Sequence, residues 1–308
     1  MSDGPVVFVV NPASANGSTG RRWPEIAYRA ASAGLDGEAL VSTRPGEITE
    51  LTARAVANGA AKIVAVGGDG TGNEAVNGLL AAGGRSAELA VLPRGTGRDF
   101  ARSLRIPSTL DRAIEVARDG AVRTIDAGSA QYVRWDGSPG ETRFALFAGA
   151  GISGAIARRA NSTSKAAGGR VSFMWATLAV FAGWKSAAVT LEVDGERRAG
   201  SMFEVLATIG EYAAGGMWVT PDARPDDGVL DVLVIGDVTK IDFVRTFPKI
   251  YRGRHLSHPK IELLRGKTVR VDADTPLPVA LDGEQPGTTP ATFELVPSAV
   301  RVRVPQAG

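Results

Sequence analysis

Cysteine is absent from the 308 residues. That excludes disulfides, thiolate metal centres and cysteine nucleophiles, and it suits a reducing compartment. Long hydrophobic runs are missing as well. The longest, around "VSFMWATLAVFAGW", reaches about 14 residues, short of the ~20 that a bilayer span needs. The opening "MSDGPVVFVVNP" has neither the basic stretch nor the apolar core of a signal peptide. Charge of one sign is scarce: 35 Lys and Arg face 33 Asp and Glu, a formal +2, so nothing global points to nucleic acid. Heptads, fixed-period repeats and low-complexity tracts do not occur. What remains is the expectation of a cytoplasmic globular protein, 44% hydrophobic and long enough for two domains.

Glycine, by contrast, is abundant at 38 residues and gathers in a few short loops. The stretch "VAVGGDGTGNEAVNGLL", Val64 to Leu80, shows the pattern. Ile63 to Val66 is an apolar run that fits a strand buried on both faces. Gly67, Gly68, Asp69 and Gly70 break regular structure. A helix is expected from about Gly72, with Thr71 and Asn73 as caps and Val76, Leu79 and Leu80 on its inner face. Strand, glycine turn and helix together make a phosphate seat, because backbone N–H groups and the helix dipole favour an anion there. Asp69 would repel that anion, unless a divalent cation lies between them or its carboxylate orients the loop through hydrogen bonds.

The first ~125 residues alternate strand and helix patterns, which predicts a doubly wound parallel sheet. Strands are expected at Val6–Val10, Ala39–Thr43, Lys62–Val66 and Leu89–Leu92, with helices near Gly20, Glu47, Gly72 and Thr109. Ligands on such sheets bind beyond the carboxyl ends of the strands. Four polar, glycine-bearing loops fall there: "NPASANG", "STRPGE", "GGDGTGN" and "PRGTGRD". Beyond Asp126 strand patterns dominate, at Thr142–Phe147, Ala188–Val193, Met202–Ile209, Gly228–Ile235, Lys267–Val271 and Pro278–Leu281. The Asp-Gly of "EVDGERR" marks a hairpin. The expectation is a nucleotide-binding α/β domain over residues 1–127 and a mostly antiparallel β-sandwich domain over 128–308, with the alternating tail 291–308 an edge strand on either domain. Helices are expected at Val171–Trp184 and Ile241–Tyr251.

"GGDGTGNEAVNGL" and "LPRGTGRDFAR" resemble the signature pair of the diacylglycerol kinase catalytic family, which includes bacterial soluble lipid kinases and the related sphingosine and ceramide kinases. "NPASANG", "GEYAAGGMWVTPDARPDDGVLDV" and "LDGE" match three further motifs of that family, in order along nearly the whole chain. The resemblance implies a two-lobed lipid kinase that uses ATP and Mg2+, phosphorylates a diacylglycerol-like or sphingoid lipid at a membrane surface, and serves phospholipid synthesis. It implies nucleotide-binding positions at Asn11, Thr43, Gly67, Gly68, Asp69, Gly70, Thr71, Gly72, Asn73 and Thr96. Asp69, Asp99 and Asp126 would organise a magnesium and water network, with Asp69 counted among the catalytic residues. Asp282 and Glu284 of "LDGE" match the catalytic base. Asp227, with the carbonyls of Arg224 and Val229, matches a structural magnesium site. A homodimer and peripheral attachment to a membrane are both left open.

The residues support this chemistry independently. Phosphoryl transfer needs positioned phosphates, neutralised charge and a carboxylate near the attacking hydroxyl. A P-loop's Gly-Lys-Ser/Thr ending is absent, and "NPASANG" is not a dinucleotide fingerprint. Plainer readings stand beside the sharp ones. Asp99 pairs with Arg98 or Arg102, "LDGE" is an ordinary Asp-Gly turn, and His255 and His258 end a helix or loop. The chain departs from the family's pattern at Arg98, where asparagine is usual, and at Leu146 and Ser153, where asparagine and aspartate are frequent. Phe173, Trp175, Phe181 and Trp184, among Arg158, Arg159, Lys165, Arg170 and Lys185, suit a membrane interface or a buried helix equally. Two alternatives remain: a kinase of a soluble nucleotide such as NAD, which shares GGDGT, and a non-catalytic nucleotide- or lipid-binding protein.

Overall fold

The computed structural model describes residues 4–83, 87–95, 97–162, 177 and 179–306. Its contacts divide the chain into two units. The first comprises the residues up to Asp126 together with the tail from Pro297, and the second runs from Ala127 to Val296.

The first unit alternates as β1 (Val6–Val10), α1 (Ser18–Ser32), β2 (Glu38–Val41), α2 (Glu47–Ala57), β3 (Lys62–Gly67), α3 (Asp69–Ala81), β4 (Glu88–Pro93), α4 (Asp99–Ser103) and α5 (Leu110–Asp119). The strands pair in parallel in the order β4-β3-β1-β2. Every residue of β3 and β4 is buried, as apolar runs covered by helices on both faces must be. Phe8, Val10, Val64, Val66, Ala90 and Leu92 meet α1 and α5 through Ile26, Ala30, Ala113 and Ile114. The alternate residues, such as Val7, Val9, Ile63 and Ala65, are equally buried and turn to the other face, where α2 and α3 pack. The chain leaves β1 for β2 on one side and β3 for β4 on the other. The order therefore reverses between β1 and β3, which places the ligand crevice beyond their carboxyl ends.

The helix expected from Gly72 begins three residues earlier, so Asp69 lies in the first turn of α3. The tail is a parallel fifth strand of this unit, with Arg301 and Val302 opposite Glu88 and Leu89. Its anchor is ionic. Buried Glu88 accepts from Arg301 Nη2 at 2.9 Å and from Arg303 Nε at 2.7 Å.

Strand β5 (Ala121–Arg134) leads into the second unit: β6 (Pro139–Phe144), β7 (Phe147–Gly151), α6 (Ile152–Ser162), β8 (Ala187–Val193), β9 (Glu196–Thr208), β10 (Tyr212–Ala213), β11 (Met217–Trp218), β12 (Leu230–Gly236), α7 (Lys240–Ile250), β13 (Ile261–Gly266), β14 (Thr268–Ala273), β15 (Pro278–Leu281) and β16 (Glu284–Val304). The antiparallel pairings close a circuit, β7-β9-β8-β14-β16-β15 and back to β7. The long strands β9 and β16 each serve both faces. Alternate residues of the circuit's strands, among them Leu191, Val205, Val271, Val279 and Phe293, fill the interior together with Phe144 of β6. The Asp194-Gly195 turn has both φ angles positive, the hairpin geometry that an Asp-Gly pair favours.

Three differences from the sequence reading have physical causes. The single strand expected over Thr142–Phe147 is two strands, β6 and β7, broken at Ala145 and Leu146, whose amides are drawn off to the Asp282 carboxylate. Helix α6 follows a glycine-rich stretch, "AGAG", that conceals its start. Of the expected helix Val171–Trp184, Thr177 and residues 179–183 are helical, while Phe173 and Trp175 lie outside the described residues. Phe181 is buried, 6.4 Å from the Phe203 ring and stacked 4.0 Å from Phe243 of α7, so this part of the segment packs inward. Trp184 donates from Nε1 to the Phe203 carbonyl at 3.2 Å. Among the described residues, no helix is long and apolar enough to cross a membrane.

Candidate functional site

Asn11 follows β1 and Gly67 ends β3, so the two flank the point where the strand order reverses. Asn11 Nδ2 donates to Thr71 Oγ1 at 3.1 Å, and the Asn11 amide donates to the Val66 carbonyl at 3.1 Å. Thr71 is buried, and its hydroxyl lies directly over Gly67. A Cβ at that glycine would come within 2.2 Å of Thr71 Oγ1. Only a glycine lets the first turn of α3 fold down so closely on the strand end. Asn11, Gly67, Gly68 and Thr71 thus form one connected rim.

Asp69 does not project freely into this rim. The Phe100 amide donates to Asp69 Oδ1 at 3.0 Å, and the amides of Arg98 and Asp99 also act on the carboxylate. Asp69 therefore caps the N-terminus of α4, whose own N-cap, Arg98, offers no side-chain cap. Burial raises the Asp69 pKa above the usual carboxylate value, while the α4 amides, Phe100 first, pull it back down. Gly97 completes the arrangement. A Cβ there would lie 2.5 Å from Asp69 Oδ2 and 3.7 Å from Asp99 Oδ2, so both carboxylates face one glycine-lined point. Asp99 is buried and pairs with Arg102 Nη1 at 2.9 Å, the plainer of the readings the sequence allowed. Arg98 adopts φ 57°, ψ 34°, the left-handed region that asparagine enters more readily than arginine.

The remaining positions scatter around the rim. Thr43 follows β2, and its hydroxyl donates to Glu47 Oε2 at 2.9 Å. Gly70 is exposed, and a Cβ on Gly72 would touch the Phe100 ring at 3.7 Å. Asn73 accepts through its carbonyl from Asn77 Nδ2 at 3.0 Å. Thr96 lies outside the described residues. Asp126 is buried and accepts from the Ser298 amide at 2.7 Å, tying the end of the first unit's chain to its returning tail.

In the second unit, Asp282 occupies the turn between β15 and β16 at φ 47°. Its carboxylate accepts from the amides of Ala145 at 2.6 Å, Leu146 at 3.0 Å and Phe147 at 2.8 Å. Glu284, two residues on, is exposed. The loop holding Arg224, Asp227 and Val229 is neutralised from within the protein. Asp227 pairs with Arg265, whose Nε also donates to buried Asp231 at 3.1 Å. A magnesium ion on Asp227 would compete with that guanidinium, so the residues present do not fit a bare metal there. Among the described residues no group of three or more His, Asp or Glu side chains is placed to hold a metal ion.

Two groups escaped the sequence reading. Glu204 of β9 is buried and accepts from Ser153 Oγ at 2.6 Å and from the Ser153 amide at 2.8 Å, at the start of α6. Burial pushes its pKa up to about 7, against the pull of the Ser153 hydrogen bonds. Arg94 directly follows β4, and its buried Nε has no hydrogen-bond partner among the described residues. Nothing in the local pattern marks Glu204, which sits in an alternating strand. Arg94 had a signal, a cation inside the glycine loop "PRGTGRD".

A family model described as the diacylglycerol kinase catalytic domain matches residues 5–130, and one described as the YegS C-terminal NAD kinase beta sandwich-like domain matches residues 147–304. The chain belongs to the diacylglycerol kinase family. It is a phosphotransferase with an alcohol group as acceptor. Among curated relatives it is similar to the diacylglycerol kinase of Staphylococcus carnosus, 26% identical over 301 residues, covering 97% of this chain and 94% of that one. The diacylglycerol kinase of Mycobacterium tuberculosis is 29% identical over 313 residues, 99% and 96% of the two chains. Among solved structures, a putative diacylglycerol kinase from Bacillus anthracis superposes with a TM-score of 0.79 at 23% identity, over 99% of this kinase and 96% of that chain. Yeast NADH kinase complexed with NADH reaches a TM-score of 0.51 at 12% identity, over 97% and 82%, a likeness of fold alone.

Proposed function

We propose that this kinase transfers the γ-phosphoryl group of ATP to a hydroxyl of a diacylglycerol-like or sphingoid lipid. One observation carries the nucleotide half of the reading. The rim at the β1/β3 reversal joins Asn11 to Thr71 at 3.1 Å, and beside it Asp69 and Asp99 face a common point at Gly97. Backbone N–H groups of the glycine turn and the start of α3 would hold the phosphates. The two carboxylates facing Gly97 suit a magnesium ion that keeps most of its ligands from phosphate and water, and the ion would supply charge neutralisation on the phosphates. The names of the curated relatives support a lipid acceptor.

In the reaction the acceptor oxygen forms a bond to the γ-phosphorus, the bond from that phosphorus to the bridging oxygen breaks, and ADP leaves. The acceptor's proton passes to a carboxylate of the "LDGE" turn. Asp282 has both oxygens engaged by backbone amides and organises the turn, so we assign the base role to Glu284, which is exposed. Labelled ATP and magnesium, incubated with total lipid extract and in parallel with NAD, test the reading. Label in a lipid is the expected result. Label in NAD would transfer the reading to a soluble-nucleotide kinase, and label in neither would leave a non-catalytic binding protein.

A further inference from the structure

Arg94 is a misfit among its own neighbours. Its backbone is pinned to the phosphate turn: the Arg94 amide donates to the Gly67 carbonyl at 2.6 Å, and a Cβ on the next residue, Gly95, would lie 3.0 Å from Gly68 Cα. Its side chain is half-buried, with Nε shielded from water and unsatisfied. A shielded guanidinium N–H without an acceptor is costly, and proteins seldom keep one. The charged groups that face it are Arg22 and Glu25 of α1. Arg22 adds a second positive charge. Glu25 offers little compensation, because its two oxygens are taken by Arg22 at 2.8 and 2.9 Å, and Arg29 approaches the same carboxylate at 3.4 Å. Burial and the Arg22 charge both depress the Arg94 pKa, as expected for a cation short of an anion.

We infer that Arg94, with Arg22 beside it, is a seat for the polyphosphate chain of the bound nucleotide, and that an anion there completes the unsatisfied guanidinium. The inference rests on the reading of the rim as a nucleotide site. Arg94 directly follows β4, one strand beyond the β1/β3 crevice, where phosphates crossing the Gly67-Gly68 turn would arrive. A guanidinium fork suits phosphate oxygens better than an ammonium does, since it donates two parallel hydrogen bonds. An unpartnered guanidinium N–H works against folding. Phosphate affinity and stability of the free protein should therefore respond to Arg94 in opposite directions.

The test uses the full chain and three probes, ATP, inorganic tripolyphosphate and adenosine, in direct calorimetric titration. Arg94→Met keeps the length of the side chain and removes its charge. Arg94→Lys keeps the charge without the fork. Arg54→Met, on the exposed side of α2, controls for net charge. The expected result is a loss of about ten-fold or more in affinity for ATP and tripolyphosphate in Arg94→Met, with partial recovery in Arg94→Lys and none of this in the control. Adenosine binding should not change, and Arg94→Met without ligand should melt at or above the wild-type temperature. Equal ATP affinity in wild type and Arg94→Met would overturn the role of Arg94 and leave the kinase reading standing. A lower melting temperature accompanied by weaker binding would make Arg94 structural and overturn it too. Absence of ATP and tripolyphosphate binding in the wild type would sink this inference and the kinase reading together.

Discussion

The Phe100 amide donates to Asp69 Oδ1 at 3.0 Å, so the residue that opens α3 caps α4. Two rim loops, "GGDGTGN" and "PRGTGRD", are thereby fastened to each other through a single carboxylate. An aspartate in a phosphate turn stops being a contradiction once its charge is seen to face three amides at the start of α4. Asp69→Asn retains one acceptor oxygen for Phe100 and removes the negative charge. It should melt within about 3 °C of wild type yet lose at least ~100-fold in turnover, through loss of the carboxylate pair facing Gly97. Asp69→Ala also removes the cap and should cost a further ~1 kcal/mol in denaturant unfolding. An Asn variant with undiminished turnover would reduce Asp69 to a cap alone.

The two acids of "LDGE" should separate by readout. Asp282→Asn weakens charge-assisted hydrogen bonds to three amides and should destabilise the protein by about 2 kcal/mol. Glu284→Gln, on an exposed position, should leave unfolding unchanged and lower kcat by ~100-fold or more with little change in nucleotide affinity. If Glu284→Gln turns over normally, the proton acceptor lies elsewhere.

Glu204 predicts a pH dependence whose sign can be worked out. Its pKa is raised from 4.5 to about 7 in the folded protein. Between those values the folded state holds a proton that the unfolded state has released. Stability contributed by the protonated group is therefore present below pH ~4.5 and lost as pH rises toward ~7. At ~1.36 kcal/mol per unit the loss is about 3 kcal/mol. Glu204→Gln mimics the protonated form. Its unfolding free energy should fall less between pH 5 and 8 than that of wild type, and it should be the more stable protein at pH 8. Parallel curves for the two proteins would mean that Glu204 is not the group that titrates.

Arg98 holds a left-handed backbone at φ 57°. Asparagine bears that conformation better because its short polar side chain bonds locally. Arg98→Asn should raise stability by about 0.5 kcal/mol, seen as a melting temperature higher by about 1 °C. A fall would show that the Arg98 side chain makes a contact worth more than the backbone preference.

Much of the first unit was legible in the sequence because its signals are local. Ile63–Val66 is apolar without interruption, as burial on both faces requires, and the glycines that follow mark the change from strand to helix, although β3 runs on through Gly67 and α3 already starts at Asp69. Thr43, Asn11 and the "GGDGT" turn fell on one edge because parallel strands joined by helices must all end on the same side. The second unit was harder to read. Its break at Ala145 and Leu146 depends on Asp282, more than 130 residues away in sequence, and no window of pattern contains both.

The alternation of strands and helices in the first unit, and the residue types set along its rim, follow from the sequence alone. Hydrophobic period and glycine position act over a few residues, and those residues are read together. Tertiary structure alone decided what each charge does. Asp69 became a cap, Asp227 the partner of Arg265, Glu204 a carboxyl that titrates near neutrality, and Arg94 a cation with an unanswered N–H. A charge takes its role from the dielectric and the partners around it, and both are assembled from strands distant in sequence.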